Sequence, residues 1–310
     1  MKKIHKILIA AGIAVLVPAL LFGAVRAGMR PPTKPFDKRF SSAIAAQACW
    51  NNTLDARIPQ TAVYGVMTQH MREREDGTVP KLLFIGYDGA LATAAGTRAE
   101  AGQSAIGDLA GQGGLWLTYT GGEKAGDQVS KTAPSWTSIF TGVWAKEHGI
   151  FDNGGTLSPT VRTILYELAA QKKEARFSFS WKPHLTDSYQ NEAAEYPEIF
   201  QYCNSDDDTF ASMLKAIEAG SDAVFGILEY TDHAGHATGY STGNRRYMEA
   251  MEQAEKSAAL LIEAAQARME EFGEDWMIVI ASDHGGFING HYAPTLMETT
   301  TFFACSKPVF

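Results

Sequence analysis

The chain of 310 residues carries 27 Lys and Arg against 35 Asp and Glu, a formal net charge of -8, with 45% hydrophobic and 20% charged residues. That composition excludes a disordered chain and suits one large α/β domain with a substantial core. An acidic balance without a basic run also excludes a nucleic-acid scaffold, while small phosphate compounds stay admissible because a bound metal ion can supply positive charge locally.

At the amino terminus, Ile7 to Val25 is an uncharged apolar run behind Lys2, Lys3 and Lys6. This is the layout of an export signal or an anchor, so residues 1–28 are expected to be a signal peptide or membrane anchor. The body of the protein is then extracytoplasmic, membrane-anchored or secreted. Residues 29–80, with Pro31, Pro32 and Pro35, are expected to be a stiff linker and an amino-terminal extension without chemistry. The cysteines, Cys49, Cys203 and Cys305, are far apart and lack CxxC spacing, so they allow at most one bridge and no zinc ribbon.

From residue 81 onward apolar runs alternate with helical patterns. Lys81 to Tyr87 reads as a buried strand that ends at Asp88, Ser104 to Ala110 as a helix, and Leu115 to Tyr119 as a second strand. Gly121, Gly122 and Gly126 then make a loop that leads to Lys131-Thr132-Ala133-Pro134-Ser135-Trp136. Pro134 fits the first turn of a helix, so a helix is expected from just after Thr132 to about Thr141. Its free N–H groups and dipole would favour an anion beside the Thr132 hydroxyl. Taken alone, Thr132 is as well explained as an N-cap.

Further on, Thr160 to Gln171 reads as a helix, Arg176 to Trp181 as a strand, and Asp208 to Ala219 as a helix closed by Gly220. Ala223 to Glu229 is another buried strand that runs into Tyr230-Thr231-Asp232-His233-Ala234-Gly235-His236. Asn244 to Glu271 is the longest helical pattern, Trp276 to Ala281 a strand ending in Asp283-His284-Gly285, and Thr300 to Ala304 a last strand that closes the sheet. Strands alternating with helices imply an α/β fold, a mostly parallel central sheet with helices on both faces. Parallel strands end at one edge, so Asp88, then Asp232 with His236, then Asp283 with His284, and His291 gather there. Each alone is a turn former or a core histidine; together, without thiolates, they suit Zn²⁺ or a similar divalent ion.

This set of motifs resembles the alkaline phosphatase superfamily, and within it the nucleotide pyrophosphatase/phosphodiesterase branch. The segment Thr132 to Asn153, TAPSWTSIFTGVWAKEHGIFDN, is similar to that branch's nucleophile helix and following turn, and Asp232-x-x-x-His236, Asp283-His284-Gly285 and Gly290-His291 to its metal motifs. The resemblance covers about residues 81 to 304 and implies an alkaline phosphatase-like catalytic domain at 81–310. It implies two divalent metal ions, Zn²⁺ by ligand type: Asp232, His236 and His291 on one, Asp88, Asp283, His284 and the Thr132 oxygen on the other. Thr132 would then be the catalytic nucleophile that forms a phospho-enzyme, acting on a small phosphate-ester or nucleotide substrate, as a phosphodiesterase or nucleotide pyrophosphatase.

Ser135 departs from the branch, which carries an asparagine three residues after the nucleophile. Ser135 and the Ala133 N–H are expected to be the substrate-binding donors. A sulfatase signature is matched at Pro134-Ser135, but Thr132 cannot become formylglycine and Trp136 replaces the arginine. Trp136, Tyr230 and Phe287 are expected in the core, His148 and Asn153 in a turn, and His233 outside the ligand set. With no motif arginine or lysine beside the phosphate, diesters are expected over monoesters, Lys131 being the residue that could reverse this. Phosphomonoesterase, phospho-group transferase and a noncatalytic membrane-anchored binding protein are the alternatives.

Overall fold

The computed structural model of the protein describes residues 57–310 apart from 73–76, 103 and 125. The apolar run Ile7 to Val25, the Pro31–Pro35 stretch and Cys49 lie outside the described residues. Among the described residues no helix is long and apolar enough to cross a membrane, and Cys203 and Cys305 are buried free thiols.

Eight strands form one sheet: β1 (Ile58–Pro59), β2 (Pro80–Tyr87), β3 (Gly114–Tyr119), β4 (Ala175–Phe179), β5 (Phe200–Tyr202), β6 (Ala223–Leu228), β7 (Asp275–Ala281) and β8 (Thr300–Cys305), in the order β1-β3-β8-β7-β2-β6-β4-β5. All neighbours are parallel except that β8 runs antiparallel to both β3 and β7. The strand expected to close the sheet therefore lies inside it. Around the sheet stand α1 (Ala62–His70), α2 (Ala92–Ala101), α3 (Ala105–Gln112), α4 (Thr132–Thr141), α5 (Ala145–His148), α6 (Ile164–Ala170), α7 (Gln190–Glu195), α8 (Asp206–Ala219), α9 (Tyr230–Thr238), α10 (Arg245–Phe272) and α11 (Leu296–Thr299).

The central strand β2 is buried along its whole length, which explains its unbroken apolar sequence. Its side chains alternate between two cores. Leu83, Ile85 and Tyr87 face one that holds Ile106 and Leu109 of α3, Met213 of α8 and Leu261 of α10. Leu82 and Phe84 face the other, with Met67 of α1, Trp136 and Phe140 of α4, and Leu165 of α6. Phe84 meets Trp136 edge-on at 5.9 Å and stacks on Phe225 at 5.5 Å between ring centroids, so trimming it to Ala would cost about 3–5 kcal/mol.

Helix boundaries follow their caps. Thr163 accepts the Tyr166 N–H, which starts α6 at Ile164, four residues later than the expected Thr160. Ser205 accepts the Asp208 N–H, which starts α8 at Asp206. The extension expected to be linker is, from residue 57, part of the domain: β1 pairs with β3, and Met67 of α1 is fully buried. Its short strand and weakly amphipathic helix left little periodicity to read.

Candidate metal centre and nucleophile

Asp88 follows β2, Glu229 and then Asp232 follow β6, and Asp283 with His284 follow β7, all at the carboxyl edge of the sheet. The run after β6 folds as helix α9 rather than a loop, which puts Asp232 and His236 one turn apart on one helix face. Gly89, at φ 62, takes the left-handed turn after Asp88; a Cβ there would stand 2.6 Å from an Asp232 oxygen.

Each carboxylate is tied by one oxygen. The Trp136 indole N–H donates to Asp88 Oδ2 at 2.8 Å, the Gly89 N–H to Asp283 Oδ1 at 3.2 Å, and the Tyr240 hydroxyl to Asp232 Oδ1. Each imidazole is tied by Nδ1, which donates to a backbone carbonyl: His284 to Gly285 at 2.9 Å, His236 to Asn289 at 2.9 Å and His291 to Ser130 at 2.8 Å. These ties fix the tautomers and leave Nε2 as an acceptor, the arrangement that orients metal ligands.

The untied atoms converge. His284 Nε2 stands 3.3 Å from Asp283 Oδ2 and 3.5 Å from Asp88 Oδ1. His236 Nε2 stands 3.3 Å from Asp232 Oδ2 and 3.1 Å from His291 Nε2. Ligand atoms of Asp232, His236 and His291 lie within 4.8 Å of one another, as do those of Asp88, Asp232 and His284, so Asp232 belongs to both groups. Asp88 Oδ1, Asp283 Oδ2 and His284 Nε2 are fully buried without a hydrogen-bond partner. Orphaned acceptors facing one another are costly unless cations sit among them, and three carboxylates with three imidazoles fit divalent ions.

The electrostatics agree. Burial, then the charge of Asp232, pushes the Asp88 carboxyl well up, and burial, then Asp88, does the same for Asp283. Burial also pushes Asp232 up, but the hydrogen bond to His236 and the His284 and His291 rings hold it below the ordinary range. The Asp232 hydrogen bond raises His236 to about 9, while burial lowers His284 to about 3 and also depresses His291. Positive charge placed among these groups would oppose the rise at Asp88 and Asp283.

Thr132 is the first residue of α4, and the cap position is Lys131, which makes no side-chain cap bond. Thr132 is 5% exposed, and among the described residues its hydroxyl has no hydrogen-bond partner, so capping does not explain it. Two contacts tie its neighbours to the carboxylate edge. Ser130, two residues earlier, receives the His291 bond, and Trp136, one turn later on the same helix face, holds Asp88. A Cβ on Gly86 would come within 2.6 Å of the Trp136 ring, so the glycine makes room for that indole.

The expected substrate donors are corrected. Ser135 is fully buried: its hydroxyl bonds Thr120 at 3.0 Å, its N–H closes on the Lys131 carbonyl at 3.0 Å and its carbonyl accepts from Gln60 at 2.7 Å. It is a packing residue turned away from the helix mouth. The Ala133 N–H already donates to Asn153 Oδ1 at 3.0 Å. Asn153, expected to be a plain turn residue, thus stands at the helix mouth. The only signal for it was its place at the end of the matched segment. Lys131 is turned to Asp152, 2.6 Å away. His148 is buried and satisfied, near Ser138 Oγ at 3.2 Å and accepting the Ile150 N–H, and Trp136 is core as expected. His233 is exposed on α9 and outside both ligand groups.

No family model and no curated protein matches the chain. Solved structures do. Murine ectonucleotide pyrophosphatase/phosphodiesterase 5, in an inactive form with AMP, is 16% identical over 66% of this chain and 57% of its own, with a TM-score of 0.47. A phosphonoacetate hydrolase from Sinorhizobium meliloti with phosphonoacetate is 17% identical over 67% and 56%, with a TM-score of 0.47. A protein of Bacteroides fragilis described as a sulfatase is 13% identical over 77% and 70%, with a TM-score of 0.50. The chain spans less than two thirds of the length of the first two. At these identities the likeness is one of fold alone, the α/β arrangement shared with the Bacteroides fragilis protein. Pyrophosphatase/phosphodiesterases are among the structures it is similar to.

Proposed function

We propose that the protein is a metal-dependent hydrolase of phosphate esters, a phosphodiesterase or nucleotide pyrophosphatase that works through a phosphothreonine at Thr132. The observation that carries this reading is the set of six side chains, each tied at one atom and free at another, whose free atoms converge at a sheet edge to which Ser130 and Trp136, the neighbours of Thr132, are hydrogen-bonded. Asp232, His236 and His291 would hold one divalent ion, and Asp88, Asp283 and His284 the other. Bound zinc would supply Lewis-acid charge that makes the hydroxyl acidic and offsets charge on the phosphoryl oxygens.

The chain's own part is positional. Thr132 Oγ1 gives up its proton and attacks phosphorus, the ester oxygen departs as the alcohol, and water then cleaves the phosphothreonine to restore the hydroxyl. The α4 dipole favours the anion at Thr132. Asn153, its carbonyl oxygen held by Ala133, offers its amide N–H₂ to a phosphoryl oxygen. Lys131 is paired with Asp152, which leaves a diester better matched than a dianion. That pair is exposed and worth little, so Lys131 could be recruited by a dianion; this is the observation that favours a phosphomonoesterase as the second reading.

The test is elemental analysis with kinetics. Zinc-loaded protein should hold about two ions per chain and lose turnover on chelation. Thr132→Ala should abolish turnover with metal content kept, and Thr132→Ser should retain part of it. Full activity in Thr132→Ala would overturn the covalent route. The placement outside the cytoplasm is likewise our reading, supported by Lys2, Lys3, Lys6 and the run Ile7 to Val25, and cell fractionation checks it.

A further inference from the structure

Between His284 and His291 the chain makes a short hairpin. Phe287 and Gly290 exchange N–H to carbonyl bonds at 2.8 and 3.2 Å across a two-residue tip, Ile288-Asn289. The tip is fastened to the metal residues. Asn289 accepts the His236 Nδ1–H at its carbonyl and donates its amide to the His236 carbonyl at 3.2 Å, and the Ile288 carbonyl accepts the Tyr240 N–H at 2.8 Å. The fit is close, since a Cβ on Gly239 would come within 3.3 Å of the Ile288 carbonyl.

Among the described residues, two that are not glycine have positive φ. Lys172, at φ 62, directly follows the cap of α6, where a left-handed residue ends many helices. Ile288, at φ 56, has no such setting. Only the first residue of the tip is left-handed, and a hairpin tip of that type takes glycine there. A β-branched residue in this region is strained. Burial does not offset the strain, because Ile288 is 51% exposed. Asn289, of a type that tolerates such a φ, comes one place later.

Tyr292, next to His291, is 67% exposed. Its N–H is held by Glu298 Oε1 at 3.0 Å, and its ring edge lies 3.9 Å from the point that a Cβ on Gly290 would take. Two large apolar side chains, one on each side of His291 along the chain, are thus kept in water by backbone that is pinned. Strain kept at a pinned and exposed position points to function rather than folding. Two side chains are too few for a stable contact between copies of the chain, which takes about 800 Å² per partner. A small apolar group fits, and a phosphate held at the adjoining ligands would bring one there.

We propose that Ile288 and Tyr292 form an apolar lip that receives the organic group of the substrate, so that phosphate esters with an alkyl or aryl group are preferred over those of a polyol. This rests on the phosphoesterase reading above and names the substrate class within it.

Calorimetric titration of the full zinc-loaded chain with n-hexylphosphonate and with methylphosphonate tests it. The hexyl compound should bind about 10-fold or more tightly than the methyl one, since each methylene fully covered is worth about a factor of 4. The ratio should fall toward 1 in Ile288→Asn, fall partway in Tyr292→Ser and persist in Ile288→Leu. Thermal unfolding gives a readout apart from any ligand: Ile288→Asn should melt no lower than the parent chain, because the strain is released. Equal binding of the two phosphonates, a ratio unchanged in Ile288→Asn, or a lowered midpoint in that variant would overturn the proposal. Loss of bound zinc in Ile288→Asn would do so too, by making the hairpin a support for the ligands alone. So would a dimer in sedimentation that Ile288→Asn dissociates, since a second copy would then cover the lip. If the binding ratio holds while no phosphate mono- or diester is cleaved, the lip stands and the phosphoesterase reading alone fails.

Discussion

Two regions hold histidines and use them in opposite ways. At the carboxyl edge of the sheet, His236, His284 and His291 are each tied by Nδ1 to a carbonyl and turn Nε2 toward carboxylates. Near the end of β4, His184 is fully buried, neither ring nitrogen has a hydrogen-bond partner, and its neighbours are Phe177, Phe179, Trp181 and Tyr189. Burial does not separate them, since His284 and His291 are buried like His184 while His236 is exposed. What separates a ligand from a packing ring is the fixed tautomer and the facing acid.

The largest effect should come from removing a facing acid. Asp283→Asn should empty one metal position and lower kcat by about 10³-fold or more, read by metal analysis beside turnover. Next is the loss of a tie. In Trp136→Phe, Asp88 Oδ2 has no donor, and metal affinity should fall about 10–100-fold while the fold persists.

His184→Phe tests the other region and should leave metal content and kcat alone. Burial lowers His184 to about 3. A group depressed in the folded state contributes stability that is complete above its ordinary value of about 6.5 and is lost as pH falls toward 3, because the unfolded chain takes the proton first. The variant should therefore show a shallower loss of unfolding midpoint between pH 6.5 and 4, by up to about 1.4 kcal/mol per pH unit. A residual slope should remain from His148, lowered to about 4 by burial. The smallest effect should follow Asp152→Asn, which frees Lys131 and should raise monoester over diester turnover a few-fold, no more for an exposed pair.

The gathering of Asp88, Asp232 and Asp283 was legible in the sequence because strand ends of a parallel sheet share an edge, so they could be assigned to one place from apolar runs alone. What could not be read depends on side-chain direction. Ser135 and Thr132 lie three residues apart on α4, and only packing against Thr120 and Gln60 shows that Ser135 faces inward. Asn153 reaches Ala133 through a fold-back that spacing does not encode. Glu229 looked like the end of a strand, and its unpartnered oxygen is visible only once Asp206 is seen to hold its backbone instead. Likewise β8 read as a closing strand, since nothing in TTFFAC marks which neighbours it takes.

The position of β8 also bears on how the molecule is made. Among the described residues, its hydrogen bonds to β3 on one side and β7 on the other are the ladder that joins the pair β1-β3 to the five strands from β7 to β5. Residues 300–305 come later in the chain than every strand they join, so a nascent chain still short of them holds β1-β3 and the strands from β7 to β5 with unpaired edges. Such edges invite pairing with other chains. Joining of the two parts therefore waits for residues 300–305, and a chain cut before them should expose both edges.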